Sequence, residues 1–336
     1  MTQAAFGAAV GQAVAGPRVG RRAVFWGALA GTLPDLDVVT YPFLDLAGQL
    51  YIHRGVTHGL AFGLVMGPLL GWIVWRIERW RGRTDPERDA GTWRLWAWAM
   101  ALGLVTHPLL DVFTIYGTQL LAPFSNHPFA VGSLFILDPL VTVPLVVTLI
   151  VALRARPERR RAWVGAGLAI AVGYIGFGVA AQTHARATVE AAYAERGVDP
   201  ERVLVAAGPL SSFHWRGLAD LGETLEPFHL HLTDAPADVT IEPALTPARW
   251  PDAVRNGRDG TALRWFSRGW LAEISSGDDL AVADVRFGRA GLDATDPFVF
   301  AWAFDDEPPY SARQLDRQLG FEEGEWGRLM DRILGR

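Results

Sequence analysis

The chain has 336 residues, is 50% hydrophobic and carries a formal net charge of −5, yet its apolar residues concentrate in the first 182 positions. That distribution is too uneven for one ordinary globular domain. All 31 basic residues are Arg, 15 against 10 acids up to Gln182 and 16 against 26 acids beyond it, so the acidic second half argues against nucleic acid as a partner. The absence of Cys removes disulfides and thiolate sites and leaves any metal to His and carboxylates.

In chain order, residues 4–16 and 19–33 come first, short and rich in Gly and Ala. They fit a re-entrant pair, a signal-like segment or a tightly packed hairpin, and no convincing processing site precedes the LPDLD that follows. Four longer stretches, 57–75, 93–110, 134–153 and 162–181, approach the ~20 residues that a ~30 Å hydrocarbon core demands. Arginine placement orients them. The connection 76–94 holds Arg76, Arg79, Arg81, Arg83, Arg88 and Arg94, the connection 154–161 holds five more, and both are expected on the cytoplasmic side. Arg18, Arg21 and Arg22 fall at the matching end of the early segments. Connections 34–56 and 112–133 then face outward, as does everything after about Gln182.

Beyond that point the periodicity changes. Residues 185–196 read as a helical stalk. Short β-like runs follow at 202–206, 213–218, 227–232, 271–274, 280–287 and 298–304, separated by Gly, Pro and Asp as in an antiparallel sheet. Residues 313–336 close with an amphipathic helix. The expected fold is mainly α: a polytopic transmembrane helical bundle over 1–182, then a smaller soluble β-rich (α+β) domain over 183–336. The expected location is a cytoplasmic (inner) membrane of bacterial or archaeal type, with the second domain extracytoplasmic and placed to cover the site or recruit substrate. Oligomeric state is left open.

Three polar groups stand where burial is costly. Leu33-Pro34-Asp35-Leu36-Asp37 ends an early helix, His53-Arg54-Gly55-Val56-Thr57-His58 leads into the first long span, and Thr106-His107-Pro108-Leu109-Leu110-Asp111 closes the next. By the Arg pattern all three arrive on the outer side. His107 and Asp111, four apart, project from one helical face. His53 and His58, five apart, do not, so one belongs in the loop. Each group alone has an ordinary reading: a capped helix stop, a hydrogen-bonded couple, a solvated loop. Their convergence points instead to a shared metal site. Neutral imidazole with carboxylate suits zinc or manganese, as one ion or two. Hydrolysis is the natural reaction, with Asp35 as general base and Arg54 neutralising charge on a phosphoryl or acyl oxygen. Asp138-Pro139 reads as a helix cap. His127 lies in an outer loop, either at the substrate entrance or simply solvated. His229 and His231, two apart on one strand, read as packed or surface residues, and Trp215, Trp265 and Trp270 as core or a lipid-facing rim.

The motifs, completed by Gly31, Thr32, Thr114, Tyr116, Gly117, Pro123, Phe124 and Ser125 and covering roughly 27–139, resemble the YdjM-like family of inner-membrane metal-dependent hydrolases. The resemblance implies a membrane metal-dependent hydrolase with Asp35, Asp37, His53, His58, His107 and Asp111 as metal ligands. Gly59 stands where that family more often has Ser. A membrane-embedded site suits membrane lipids as neighbours and a lipid or lipid-linked phosphoester or ester as substrate. The alternatives are a metal- or proton-coupled transporter, or a structural membrane protein whose metal staples helices. His-Glu-x-x-His is absent, which disfavours a metalloprotease.

Overall fold

A computed structural model describes residues 1–83, 91–276, 279–292, 296–315 and 324–336. Arg88 and residues 316–323 of the expected terminal helix lie outside them. The chain forms two compact units. One comprises Met1–Pro42, Tyr51–Val131 and Ile136–Phe177, the other Phe43–Leu50, Gly132–Phe135 and Gly178–Arg336.

The first unit opens with α1 (Thr2–Val14), a single turn α2 (Gly16–Val19) and α3 (Arg22–Thr32). Gly7 and Gly11 on α1 meet Gly27 and Gly31 on α3. A Cβ on Gly7 would fall on the carbonyl oxygen of Gly27, and one on Gly31 would fall on that of Gln3. Four-residue spacing of small side chains lets the two backbones touch. Of the three sequence readings for this segment, the tightly packed hairpin describes it. A 3-10 segment (Leu33–Phe43), α4 (Leu46–Ile52) and a 3-10 turn (Val56–His58) lead into α5 (Leu60–Trp80), which packs on α6 (Thr92–Val112). Gly63, Gly67 and Gly71 of α5 repeat the small-residue device against Val105, Ala101 and Ala97. Near the far end of α5, the buried carboxylate of Glu78 accepts from Trp26 Nε1 at 3.0 Å and from Arg22 Nη1 at 2.5 Å, so its charge is compensated.

α7 (Pro139–Arg154) and α8 (Pro157–Glu195) follow. Among the described residues three helices, α5, α6 and α8, are long and apolar enough to cross a membrane, rather than the four expected. The difference is at 134–153, where helix begins only at Pro139 and lasts 16 residues. Asp138 sets that start: its side chain accepts from Leu140 N at 2.8 Å, and Pro139 occupies the first helical position. α8, by contrast, runs unbroken for 39 residues, so the last apolar stretch and the expected stalk are one helix.

In the second unit, Ala181, Ala185, Val189 and Tyr193 of α8 pack on the face of a sheet that carries Trp215, Phe228 and Leu230. That sheet is an antiparallel meander of β1 (Arg202–Ala207), β2 (His214–Asp220), β3 (Leu225–His231) and β4 (Thr240–Ile241). A second four-stranded antiparallel sheet contains β5 (Leu271–Ser276), β6 (Asp279–Asp284), β7 (Ala301–Phe304) and β8 (Ala312–Gln314). All six expected runs contain strand. β4 and β8, of two and three residues, are too short to show an alternation. Leu218 and Leu225 of the first sheet join Trp270, Ala272, Ala283 and Val285 in a shared core. Trp215 and Trp270 are therefore core, and Trp265 is half-buried. α9 (Asp252–Asn256) and α10 (Arg258–Ser267) precede β5, and α11 (Glu325–Leu334) lies near the C-terminus.

His214 and His231 are cross-strand partners, as are Arg216 and His229. His214 is buried 5.9 Å, ring to ring, from His229. Burial, reinforced by the positive charge of His229, Arg332, Arg216 and His231, pushes its imidazole from the usual 6.5 to about 3. The folded state thus refuses a proton that the unfolded chain accepts below about pH 6.5. Stability owed to neutral His214 is complete above pH 6.5 and is lost as pH falls toward 3, by about 1.4 kcal/mol per unit. His214→Gln should flatten the acid limb of an unfolding-versus-pH curve, and an unchanged slope would contradict this origin.

Candidate metal centre

The 3-10 segment after Pro34 presents Asp35, the 3-10 turn before α5 ends on His58, and α6 projects His107 and Asp111 from one face a turn apart. One ligand atom from each of these four residues lies within 4.8 Å of the others. His58 Nε2 is 3.5 Å from Asp35 Oδ1 and 3.5 Å from Asp111 Oδ2. His107 Nε2 is 3.3 and 3.5 Å from the same oxygens. Two ligands each ~2.0–2.1 Å from an ion at a tetrahedral angle stand roughly 3.4 Å apart, so these spacings fit a single divalent ion.

The hydrogen bonding fits it too. His58 Nε2, His107 Nε2 and Asp111 Oδ2 are buried and have no hydrogen-bond partner among the described residues. Orphaned buried atoms are rare because each costs about 1–3 kcal/mol. His107 Nδ1 donates to the carbonyl oxygen of Gly31 at 2.6 Å. A carbonyl only accepts, so the proton sits on Nδ1 and the Nε2 lone pair faces the cluster. Behind His58, Nδ1 lies 3.1 Å from Thr57 Oγ1 and 3.6 Å from Asp37 Oδ2. Burial pushes the Asp35 carboxyl up, but the neighbouring imidazoles of His107 and His58 outweigh it and hold it well below the usual carboxylate range. Asp35 is therefore an ionised acceptor. Its side chain is 51% exposed, against 0–5% for the other three, so the cluster opens on the Asp35 side.

Of the six residues singled out in the sequence as ligands, the structure brings these four together. Asp37 and His53 stand one step back. Asp37 Oδ1 meets His53 Nδ1 at 3.1 Å, while Oδ2 accepts from Arg54 N at 3.1 Å and from Thr57 Oγ1 at 3.4 Å. Asp37 thus braces His58 and its loop and gives no atom to the four-ligand cluster. The rings of His58 and His107 are 4.9 Å apart.

Arg54 is buried in the left-handed region, φ +54°, where a side chain is strained. Two hydrogen bonds hold it there: its N–H donates to Asp37 and its carbonyl accepts from Gln119 N at 2.9 Å. Its guanidinium donates to Thr114 Oγ1 at 2.9 Å, lies 3.3 Å from Asp111 Oδ2 and covers the Tyr116 ring at 4.7 Å. Gln3, unassigned in the sequence, donates from Nε2 to Asp111 Oδ1 at 2.6 Å. Its only sequence signal is an amide at the mouth of an apolar, Gly- and Ala-rich stretch. Asp138 serves as the helix cap and stands outside the cluster, as does the exposed His127. Among the described residues no second group of this kind occurs, and His229 pairs with Glu242 at 3.4 Å.

The YdjM inner membrane protein family matches residues 1–185, more than half of the chain and every residue of the cluster. The chain belongs to that family. It is 33% identical to the inner membrane protein YbcI of Escherichia coli (strain K12) over 131 residues, 38% of this chain and 69% of YbcI. It is 31% identical to the uncharacterized protein YfhP of Bacillus subtilis (strain 168) over 122 residues, 36% of this chain and 34% of YfhP. The chain thus spans about a third of YfhP. No solved structure matches. Nearly all of the β-rich region lies beyond the family match.

A carboxylate behind a ligating imidazole commonly adds 10–100-fold to metal affinity. Asp37→Asn should weaken divalent-metal binding by roughly that factor, and His53→Ala, one contact further out, by less. Chelator competition on the purified full chain measures both, and wild-type affinity in Asp37→Asn would remove Asp37 from the centre.

Proposed function

We propose that this membrane protein is a metal-dependent hydrolase acting on a lipid or lipid-linked phosphoester or ester. The observation that carries this reading is the convergence of three buried, unpartnered ligand atoms with one half-exposed carboxylate. Asp35, His58, His107 and Asp111 would hold a divalent ion, zinc or manganese, which would supply Lewis acidity and lower the pKa of a water from ~15.7 toward ~7. The protein's own groups do the rest. Asp35 contributes Oδ1 to the cluster, and its half-exposed carboxylate takes the proton of the attacking water. Arg54 offsets negative charge on Asp111 and on the phosphoryl or acyl oxygen as the bond breaks. His53, Asp37 and Thr57 keep His58 in place.

Apolar residues next to the clustered ones support the substrate class. Leu36, Val38 and Val39, directly after Asp35, are exposed, as is Val56 before His58. An apolar rim beside an ionic centre suits an amphiphile whose polar bond reaches the carboxylates while its chains stay on the rim.

The test is metal content and turnover on detergent-purified protein. Wild type should carry stoichiometric zinc or manganese and hydrolyse phosphoester or ester lipids, and His58→Ala and His107→Ala should lose both. Arg54→Gln should keep the metal and lose about 10²–10³ in kcat. Because the ligands come from three chain segments, a stapling role is the second reading. Stoichiometric metal without turnover on any such lipid would favour it and sink the hydrolase.

In this reading α5, α6 and α8, with the shorter apolar helix α7 as a fourth pass, form a multi-pass bundle, with the Arg-rich connections 76–94 and 154–161 cytoplasmic and the metal centre and β-rich region on the outer side. A cysteine replacing the exposed Arg81 should stay unlabelled by an impermeant thiol reagent in intact cells and react after permeabilisation. Labelling before permeabilisation would reverse the orientation.

A further inference from the structure

The N-terminal helix α1 brings one polar group to the metal centre. Gln3 Nε2 lies 2.6 Å from Asp111 Oδ1 and 3.3 Å from the carbonyl oxygen of His107. Both neighbours only accept, so the amide nitrogen must face them, and a flipped amide would set three oxygens against one another. Both N–H groups of Gln3 are thereby used. Its Oε1 is then buried and has no hydrogen-bond partner among the described residues.

Asp111 explains why that matters. Its Oδ2 belongs to the ligand cluster and lies 3.3 Å from Arg54 Nε, while its Oδ1 is held by Gln3. A carboxylate gripped at one oxygen has its rotation about the Cβ–Cγ bond fixed, which decides whether the other oxygen points at the ion. The remaining orphan, Gln3 Oε1, is an acceptor one amide away from Asp111. A donor there, a water or a substrate hydroxyl, satisfies it.

We propose that Gln3 is a positioning residue of the metal centre: it turns Asp111 Oδ2 toward the ion and offers Oε1 as the acceptor for a water or hydroxyl beside it. This rests on the metal-centre reading above, and it makes α1 part of the site rather than only a packing helix. α1 has independent anchors. Gly7 and Gly11 meet α3, and Thr2 Oγ1 is 2.6 Å from Thr142 Oγ1 of α7. Gln3→Met, similar in length and without polar atoms, therefore leaves the helix docked.

The test compares wild type, Gln3→Met and Thr2→Val as full-length detergent-purified proteins. Zn²⁺ affinity is read by chelator competition, ligand geometry by the visible absorption of the Co²⁺-loaded protein, and folding by thermal unfolding of the metal-free protein. Gln3→Met should bind Zn²⁺ about 10–100-fold more weakly and shift the Co²⁺ spectrum, with metal-free unfolding unchanged. Thr2→Val, which loosens α1 without touching Asp111, should match wild type in affinity and spectrum. Wild-type affinity and spectrum in Gln3→Met overturn the proposal while leaving the metal centre standing. Equal losses in Thr2→Val, or metal-free unfolding lowered in Gln3→Met in step with its affinity, overturn it in favour of packing. A wild type that binds neither ion overturns it together with the reading beneath it.

Discussion

The hydrogen bond from His107 Nδ1 to the Gly31 carbonyl, 2.6 Å long, is the contact on which the centre depends. It joins the last residues of α3 to α6, and it commits one ring proton so that the opposite nitrogen is left bare. Without that commitment His107 and Asp111 are a common intrahelical couple. With it, the Nε2 atom is a buried lone pair lacking a donor among the described residues, and the same holds for His58 once Thr57 and Asp37 occupy its Nδ1 side. The site is thus a set of acceptors held together against their mutual repulsion, an arrangement that only a cation or protons stabilise.

What makes such a contact possible is the absence of side chains elsewhere. Gly31 offers its carbonyl to His107 and its missing Cβ to α1 at the same time. Gly27 and Gly31 against Gly7 and Gly11 let α1 approach until Gln3 reaches Asp111, and Gly63, Gly67 and Gly71 draw α5 onto α6, which places His58, just ahead of α5, beside His107. In helices facing lipid, little hydrophobic force drives association, so close backbone packing does that work. The small residues and the polar cluster are two parts of one design.

The sequence made part of this legible. His107 and Asp111 could be placed on one face from their spacing alone, and the Arg clusters, together with the LPDLD and His-Arg-Gly-Val-Thr-His motifs, marked the segments that meet them. The sequence did not distinguish a ligand from a residue that braces one. Asp35 and Asp37 are both aspartates in one short segment, and only the turn geometry sends Asp35 to the cluster and Asp37 behind His58. Gln3 was invisible because its partner is 108 positions away. The helix start at Pro139 was legible as a cap signal at Asp138, but hydropathy ran through it and suggested a longer span. In the β-rich region alternation revealed strands of four residues or more and missed β4 and β8, while α9 and α10 carry too few periodic apolar residues to stand out.

Asp35 is the only one of the four clustered residues with substantial exposure. An ion held there would enter and leave past a single carboxylate, with His58, His107 and Asp111 walled behind it. A substitution at Asp35 would therefore change access to the other three residues as well as the cluster's own set of oxygens.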